Sequence, residues 1–263
     1  MSTDLHGNGG DFAALRRRFE QMAQGPGSAY WVQLGDLVHA PSERAALYDP
    51  ALYDPRDDSM AIVDGFLDLE RSHPGHVHVV LGNHDHAHIG GPRTRKFHDD
   101  EAAWLEAALD DGAPARLRGL FTRALLAVAA PCGVLLAHGS PAAEFDALED
   151  LDAIDPTDAQ PSPRSRVILR SLLTSYGQPG EVTAALLARI SRPGLALHLV
   201  VHGHDRDESG WFVEGGNQVC PVIFGAPRHE KRCLVLDLAA RYVTPEDLRD
   251  GVEIVRVHGA EEP

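Results

Sequence analysis

The stretch Leu81-Gly82-Asn83-His84-Asp85-His86 follows the apolar run His78-Val79-Val80 and reads as the C-terminal mouth of a buried strand. Within four residues of that strand end the chain sets down an amide oxygen, an imidazole and a carboxylate, where open α/β sheets build their sites. Taken alone, an Asx-turn beside a surface histidine accounts for Asn83 and His84 equally well. Its weight comes from further strand ends of the same kind. Ala29 to Leu34 reads as a strand ending in Gly35-Asp36-Leu37-Val38-His39, Val134 to Ala137 delivers His138-Gly139-Ser140-Pro141, and Leu197 to Val201 ends in His202-Gly203-His204-Asp205-Arg206. Near the start, Asp4 and His6 precede a helix pattern that begins at about Asp11, with Phe12, Leu15 and Phe19 on one face.

Between these corners the pattern alternates. Helices are predicted from about Ser59 to Arg71, Asp99 to Ala108 and Glu181 to Ile190, and Ala124 to Ala137 reads as a hairpin interrupted by Pro131 and Gly133. Gly210 to Glu214, Gln218 to Phe224, Arg232 to Leu238 and Val252 to Val257 read as strands, at least partly antiparallel. The βαβ alternation predicts a layered α/β fold, and 263 residues with 43% hydrophobic side chains suit one domain over residues 1–263. Two segments read as loops. Ala40 to Asp58 holds a tandem duplication, Ala46-Leu47-Tyr48-Asp49-Pro50 and Ala51-Leu52-Tyr53-Asp54-Pro55, whose tyrosines are either substrate contacts or part of a packed surface loop. Glu144 to Pro163 is acidic and proline-containing, a loop or lid. Of the 15 histidines, His73, His98 and His258 sit in polar contexts and read as solvated groups.

With 24 Lys and Arg against 39 Asp and Glu, the formal charge of −15 disfavours nucleic-acid and anionic membrane partners. Three cysteines, two of them in apolar strand-like runs, suggest a reduced, cytoplasmic setting. The first twenty residues contain no apolar core of a signal peptide, and the longest apolar run is too short to span a bilayer. Oligomeric state is left open.

Collected, the corners offer Asp4, His6, Asp36, Asn83, His84, His138 and His204, an oxygen and imidazole set without thiolate that suits manganese, iron or zinc. Two cations about 3.5–4 Å apart can share a carboxylate, polarise a phosphoryl group and deprotonate a bridging water at neutral pH, and Asp36 is the natural bridge. Singly, Asp4 passes for a helix cap and His138 for a turn histidine. Their common placement at strand ends argues against that reading.

At these residues the sequence resembles the calcineurin-like metallophosphoesterases over nearly the whole chain. The family's motifs stand here as Asp4-Leu5-His6, Gly35-Asp36, Gly82-Asn83-His84-Asp85 and His138-Gly139. Gly203-His204 is followed by Asp205-Arg206 rather than by a second histidine, which resembles the phosphoprotein (Ser/Thr) phosphatase branch, as do Gly210-Trp211-Phe212 and Phe224-Gly225-Ala226-Pro227. The resemblance implies a four-layer α/β/β/α sandwich of two mixed β-sheets flanked by helices, with a dinuclear metal site at the strand ends. It implies Asp4, His6 and Asp36 on one metal and Asp36, Asn83, His138 and His204 on the other, Mn²⁺ first and iron or zinc as alternatives. His84 and Asp85 would be catalytic, with His84 protonating the leaving group as a metal-bridging hydroxide attacks phosphorus in line.

The chain departs from that branch in three places. His39 and Ala40 stand where the branch carries an Asp that orients the catalytic histidine and an Arg that grips phosphate, Arg228-His229 replace Asn-Tyr after Pro227, and three residues precede Asp4 where an inner strand is expected. Arg228, beside Pro227, and Arg170, ahead of Tyr176-Gly177, are candidate phosphate ligands, with surface ion pairs as the alternative for each. Two substrate classes compete, phosphoserine or phosphothreonine proteins first, and dinucleoside polyphosphates or related small phosphate esters second. A metal-free scaffold is the rival from outside enzymology.

Overall fold

Described for residues 1–25 and 27–259 by a computed structural model, the chain builds two facing sheets. In the first, Ser2–Thr3 (β1), Trp31–Leu34 (β2) and Val77–Val80 (β3) run parallel, with Ser2 opposite Gln33 and Leu34 opposite Val80. In the second, Ala127–Ala130 (β4), Val134–Ala137 (β5), Leu199–Val201 (β6), Trp211–Glu214 (β7) and Gln218–Pro221 (β8) lie in the order β4-β5-β6-β8-β7. This sheet is parallel at its centre and antiparallel at both edges. An antiparallel pair, Arg232–Leu234 (β9) and Ile254–Arg256 (β10), forms a small sheet of its own that lies against the first where Met1 and Leu234 exchange two hydrogen bonds.

Period-two alternation sorts the strand residues into layers. Val32, Leu34 and Val80 of the first sheet meet Val134, Leu136, Leu199, Val201 and Val219 of the second in one buried cluster. The alternate positions, Trp31, Val77, Val79, Leu135, Ala137 and Val200, turn outward to the helices, and a slip of one residue would exchange the two sets. Gly9–Ala23 (α1), Glu43–Tyr48 (α2), Ser59–Ser72 (α3), the single turn Asn83–His86 (α4), Glu101–Ala107 (α5) and Ala113–Thr122 (α6) precede β4. Glu149–Asp152 (α7), Pro163–Thr174 (α8) and Gly180–Ile190 (α9) lie between β5 and β6. Phe12 of α1 and Phe66 of α3 pack on Trp31, and α8 is tied to the end of β5 by the Gly139 N–H to the Leu172 carbonyl at 2.6 Å. The result is the expected α/β/β/α sandwich.

Several expectations shift in detail. The strand before Asp4 exists but is two residues long. Helices α6 and α8 were not anticipated, although Ala113, Leu117, Leu120 and Phe121 keep helical spacing and Ser162 caps α8 ahead of Pro163. The acidic segment carries α7, and Asp146 and Asp150 pair with Arg164 while Asp146 also pairs with Arg189. His258 is buried rather than solvated, its Nε2 lying 2.7 Å from Asp11 Oδ1. The three cysteines are free and buried, and among the described residues no helix is long and apolar enough to cross a membrane.

Candidate active site

Among the described residues, five that are not glycine have left-handed backbone: Asp4 (φ 34°), His6 (42°), Asp36 (49°), His39 (72°) and His204 (65°). Each such residue costs roughly 1–3 kcal/mol and persists only where its surroundings over-determine it. Four of the five are predicted metal ligands. All five follow the ends of β1, β2 and β6 within five residues, so the left-handed turns lie at strand ends of both sheets. The motif glycines permit this crowding. A Cβ on Gly82 would lie 2.3 Å from the Asp36 amide nitrogen, and one on Gly203 would lie 2.4 Å from Asp4 Oδ2.

Asp36 occupies the centre. Its Oδ2 is 3.6 Å from His6 Nε2 and 3.5 Å from His138 Nε2. Two groups of ligand atoms share it: His6, Asp36 and His84, and Asp36, His138 and His204, the atoms of each lying within 4.8 Å of one another. Asn83 Oδ1 and His204 Nδ1 are 3.0 and 3.2 Å from His138 Nε2, and the Asp4 carboxylate accepts the His204 N–H at 3.1 Å. All six predicted ligands therefore converge.

Backbone carbonyls set the tautomers. A carbonyl only accepts, so His138 Nδ1 donates to Leu34 at 2.8 Å and His6 Nδ1 donates to the His39 carbonyl at 3.3 Å. Each imidazole then presents the Nε2 lone pair toward Asp36, the form that ligates a metal. Burial, with Asp36 next, pushes the Asp4 carboxyl well above its usual range, and burial pushes Asp36 up to about 7. The same desolvation lowers His138 to about 4, His204 to about 3 and His6 well below its ordinary value. Buried carboxylates among neutral imidazoles form a site short of positive charge, which divalent cations fit.

The centre opens into a cleft of about 1020 Å³ floored by Asp36, Asn83, His84 and His204. Lys96 and Arg95 stand on its wall, and Lys96 Nζ lies 4.4 Å from the centre of the Phe224 ring, which itself packs 4.1 Å from His6. Arg206 donates to the Tyr53 hydroxyl at 2.7 Å, and Tyr176 lies 5.0 Å from the His204 ring. The two copies of the duplicated loop are thus inequivalent: Tyr53 packs on Phe224 inside the cleft, while Tyr48 is 94% exposed.

His84 lines the cleft, with its backbone N–H donating to Asp36 Oδ1 at 2.9 Å. Asp85 lies behind it, fully buried, accepting the Leu37 N–H at 2.9 Å and the Gly82 N–H at 3.1 Å, so it ties the loops after β2 and β3 together. Burial first and Asp36 second push its carboxyl up to about 8. Arg228 lines a neighbouring depression that shares Leu52 and Tyr53 with the cleft, and Arg170 is on the exposed face of α8. Neither arginine lines the cleft. Lys96, Arg95 and Arg206 do; the first two belong to the basic run Arg93-Thr94-Arg95-Lys96, and Arg206 follows the last predicted ligand by two residues.

The pattern of the calcineurin-like phosphoesterases matches residues 2–206, an interval that contains every residue of the centre from Asp4 to His204. No curated protein sequence matches. Among solved structures, a protein serine/threonine phosphatase from Saccharomyces cerevisiae is 17% identical and superposes with a TM-score of 0.62, over 99% of this chain and 79% of its own. A cold-active protein-tyrosine phosphatase of a psychrophilic Shewanella species is 14% identical with a TM-score of 0.51, over 84% and 69%. At these identities the likeness is one of fold. With the family pattern covering most of the sequence, the chain belongs to the calcineurin-like phosphoesterase family and is a hydrolase of phosphate esters.

Proposed function

We propose that residues 1–263 form one catalytic domain that holds two divalent cations and hydrolyses phosphomonoesters. Asp4, His6 and Asp36 would hold one cation, and Asp36, Asn83, His138 and His204 the other. The observation that carries this reading is Asp36 between two imidazoles whose Nε2 lone pairs face it. Bound there, the cations supply Lewis-acid polarisation of the phosphoryl group and a water acidic enough to ionise near neutral pH. The oxygen and imidazole donors favour Mn²⁺, with iron or zinc as alternatives. His84 is the proton donor to the leaving oxygen, its main chain anchored on Asp36 and its ring facing the cleft. Asp85 acts at one remove, holding two motif loops in register.

Purification without chelator, metal analysis, and p-nitrophenyl phosphate turnover before and after EDTA and Mn²⁺ re-addition test this reading. Two cations per chain and Mn²⁺-restored activity are expected, whereas an inactive, metal-free protein beyond Mn²⁺ rescue would leave only a binding scaffold.

A phosphate dianion also needs fixed positive charge, and Lys96 with Arg95 supplies it from the cleft wall in preference to Arg228 or Arg170. Lys96→Ala is expected to raise KM about tenfold with kcat little changed, the signature of lost ground-state binding, while Arg228→Ala changes KM by less than about twofold. The reverse ranking would return the phosphate contact to Arg228. A phosphoserine or phosphothreonine protein is the favoured substrate, because His204 is followed by Asp205-Arg206 rather than by a second histidine, as in the phosphoprotein phosphatase branch. The aromatic walls at Tyr53 and Tyr176 favour the second reading, a dinucleoside polyphosphate whose base stacks there. Three buried free cysteines agree with a cytoplasmic setting.

A further inference from the structure

On the side of His84 away from the cleft, three titratable side chains follow one another at hydrogen-bond distance. His84 Nδ1 is 2.9 Å from His39 Nδ1, His39 Nε2 is 2.9 Å from His88 Nε2, and His88 Nδ1 is 2.9 Å from Glu106 Oε1. The three histidines are buried, and Glu106, 24% exposed and held by Arg118 at 3.2 Å, is where the series meets the surface.

The polarity of this series follows from its far end. A carboxylate accepts only, so the proton between His88 and Glu106 is on His88 Nδ1. Burial keeps His88 neutral, and His39, fully buried with an imidazole nitrogen rather than a carboxylate hydrogen-bonded at each of its ring nitrogens, likewise carries one ring proton. His88 Nε2 is then a lone pair that accepts from His39 Nε2–H, and His39 Nδ1 is a lone pair that accepts from His84 Nδ1–H. Thr94 Oγ1, 3.4 Å from the same His39 nitrogen, can turn its proton toward it.

We propose that Glu106, His88 and His39 form a hydrogen-bond relay that fixes the tautomer and ring angle of His84, so that Nε2 is the nitrogen exchanging a proton in the cleft. All three are positioning residues. His39 is built for the part, its left-handed main chain pinned by its N–H to Ser59 Oγ at 3.2 Å and by its carbonyl to His6. A second carboxylate reinforces the relay. Glu101 is fully buried, its Oε1 accepts the Phe97 N–H, and its Oε2 has no hydrogen-bond partner while lying 3.4 Å from His84 Nδ1. That oxygen is placed to balance the charge of His84 whenever the ring is protonated.

The relay is tested by nitrogen-15 NMR of the His84 ring in the Zn²⁺-loaded protein and in the Glu106→Leu and Glu106→Gln variants. The parent should show a proton on Nδ1 and a bare Nε2. Glu106→Gln should match it, because the amide oxygen still accepts, and Glu106→Leu should show mixed tautomers. The kinetic arm rests on His84 as proton donor: in Glu106→Leu, kcat on phenyl phosphate should fall about tenfold with KM and p-nitrophenyl phosphate turnover unchanged. A proton on Nε2 in the parent, or parent-like ring signals in Glu106→Leu, overturns the relay. Because the ring signals need no turnover, they decide the relay even if the protein proves inactive as a phosphoesterase.

Discussion

Replacing Asp36 with Asn is expected to empty or weaken both metal sites and to lower kcat/KM by on the order of a thousandfold. Asn is among the few residues that tolerate left-handed backbone, and its side-chain oxygen can still accept the His84 N–H, so the strand ends keep their shape. What is lost is the negative charge between His6 and His138. In its place an amide N–H would point at the Nε2 lone pairs and occupy them. Metal analysis alongside phenyl phosphate turnover checks this; two cations per chain and more than about a tenth of the parental activity would remove Asp36 from the bridge.

The same variant has an opposite effect on the protein stripped of metal. Burial raises Asp36 from 3.8 to about 7, so the fold prefers the protonated carboxyl. The unfolded chain releases that proton near 3.8 and the folded chain only near 7. For this group, therefore, stability is greatest below pH 3.8, declines as pH rises through the interval to 7, and is level above it. After chelation, Asp36→Asn should melt above the parent at pH 7 by a few degrees, and the difference should vanish near pH 4. Asp85 and Asp4, shifted in the same direction, remain in both proteins and leave a residual decline with pH. Scanning calorimetry across that range reads the sign directly.

His84→Asn is expected to lower kcat about 10²–10⁴-fold on phenyl phosphate and far less on p-nitrophenyl phosphate, whose leaving group needs little protonation. The metal content should be unchanged, because the main-chain link to Asp36 does not involve the ring. Burial, followed by the nearby imidazoles and Lys96, holds His84 well below its ordinary value, so the proposed acid role requires the charge of a bound phosphate dianion to raise it. The cluster of His6, Asp36 and His84 makes the metal measurement decisive. Loss of a cation in the variant would make His84 a ligand, and equal losses on the two substrates would deny it the acid role.

The sequence by itself determined the layered fold and the convergence of Asp4, His6, Asp36, Asn83, His138 and His204. Both are locally encoded. Apolar runs such as Val79-Val80 and Leu135-Leu136 mark strands, and in a parallel arrangement strand ends share one edge, so ligand-type residues directly after several strands must meet. Helices α6 and α8 are legible in the same way, from the helical spacing of Leu117, Leu120 and Phe121 in the one and from Ser162 capping ahead of Pro163 in the other.

Only the tertiary structure decided which side chains face the substrate and what stands behind His84. Arg228 and Arg170 were placed by their neighbours along the chain, but the cleft wall is made where the loop carrying Lys96, the second duplicated pentapeptide with Tyr53, and Arg206 close over the strand ends. No local pattern encodes that meeting, and a charge of −15 summed over the chain conceals a basic wall of three residues. The line from His84 through His39 and His88 to Glu106 likewise joins the loop after β2, the turn after α4 and helix α5. Strand ends are set by short-range alternation, whereas hydrogen bonds between loops depend on how separately folded elements pack, and that information is spread across the whole core.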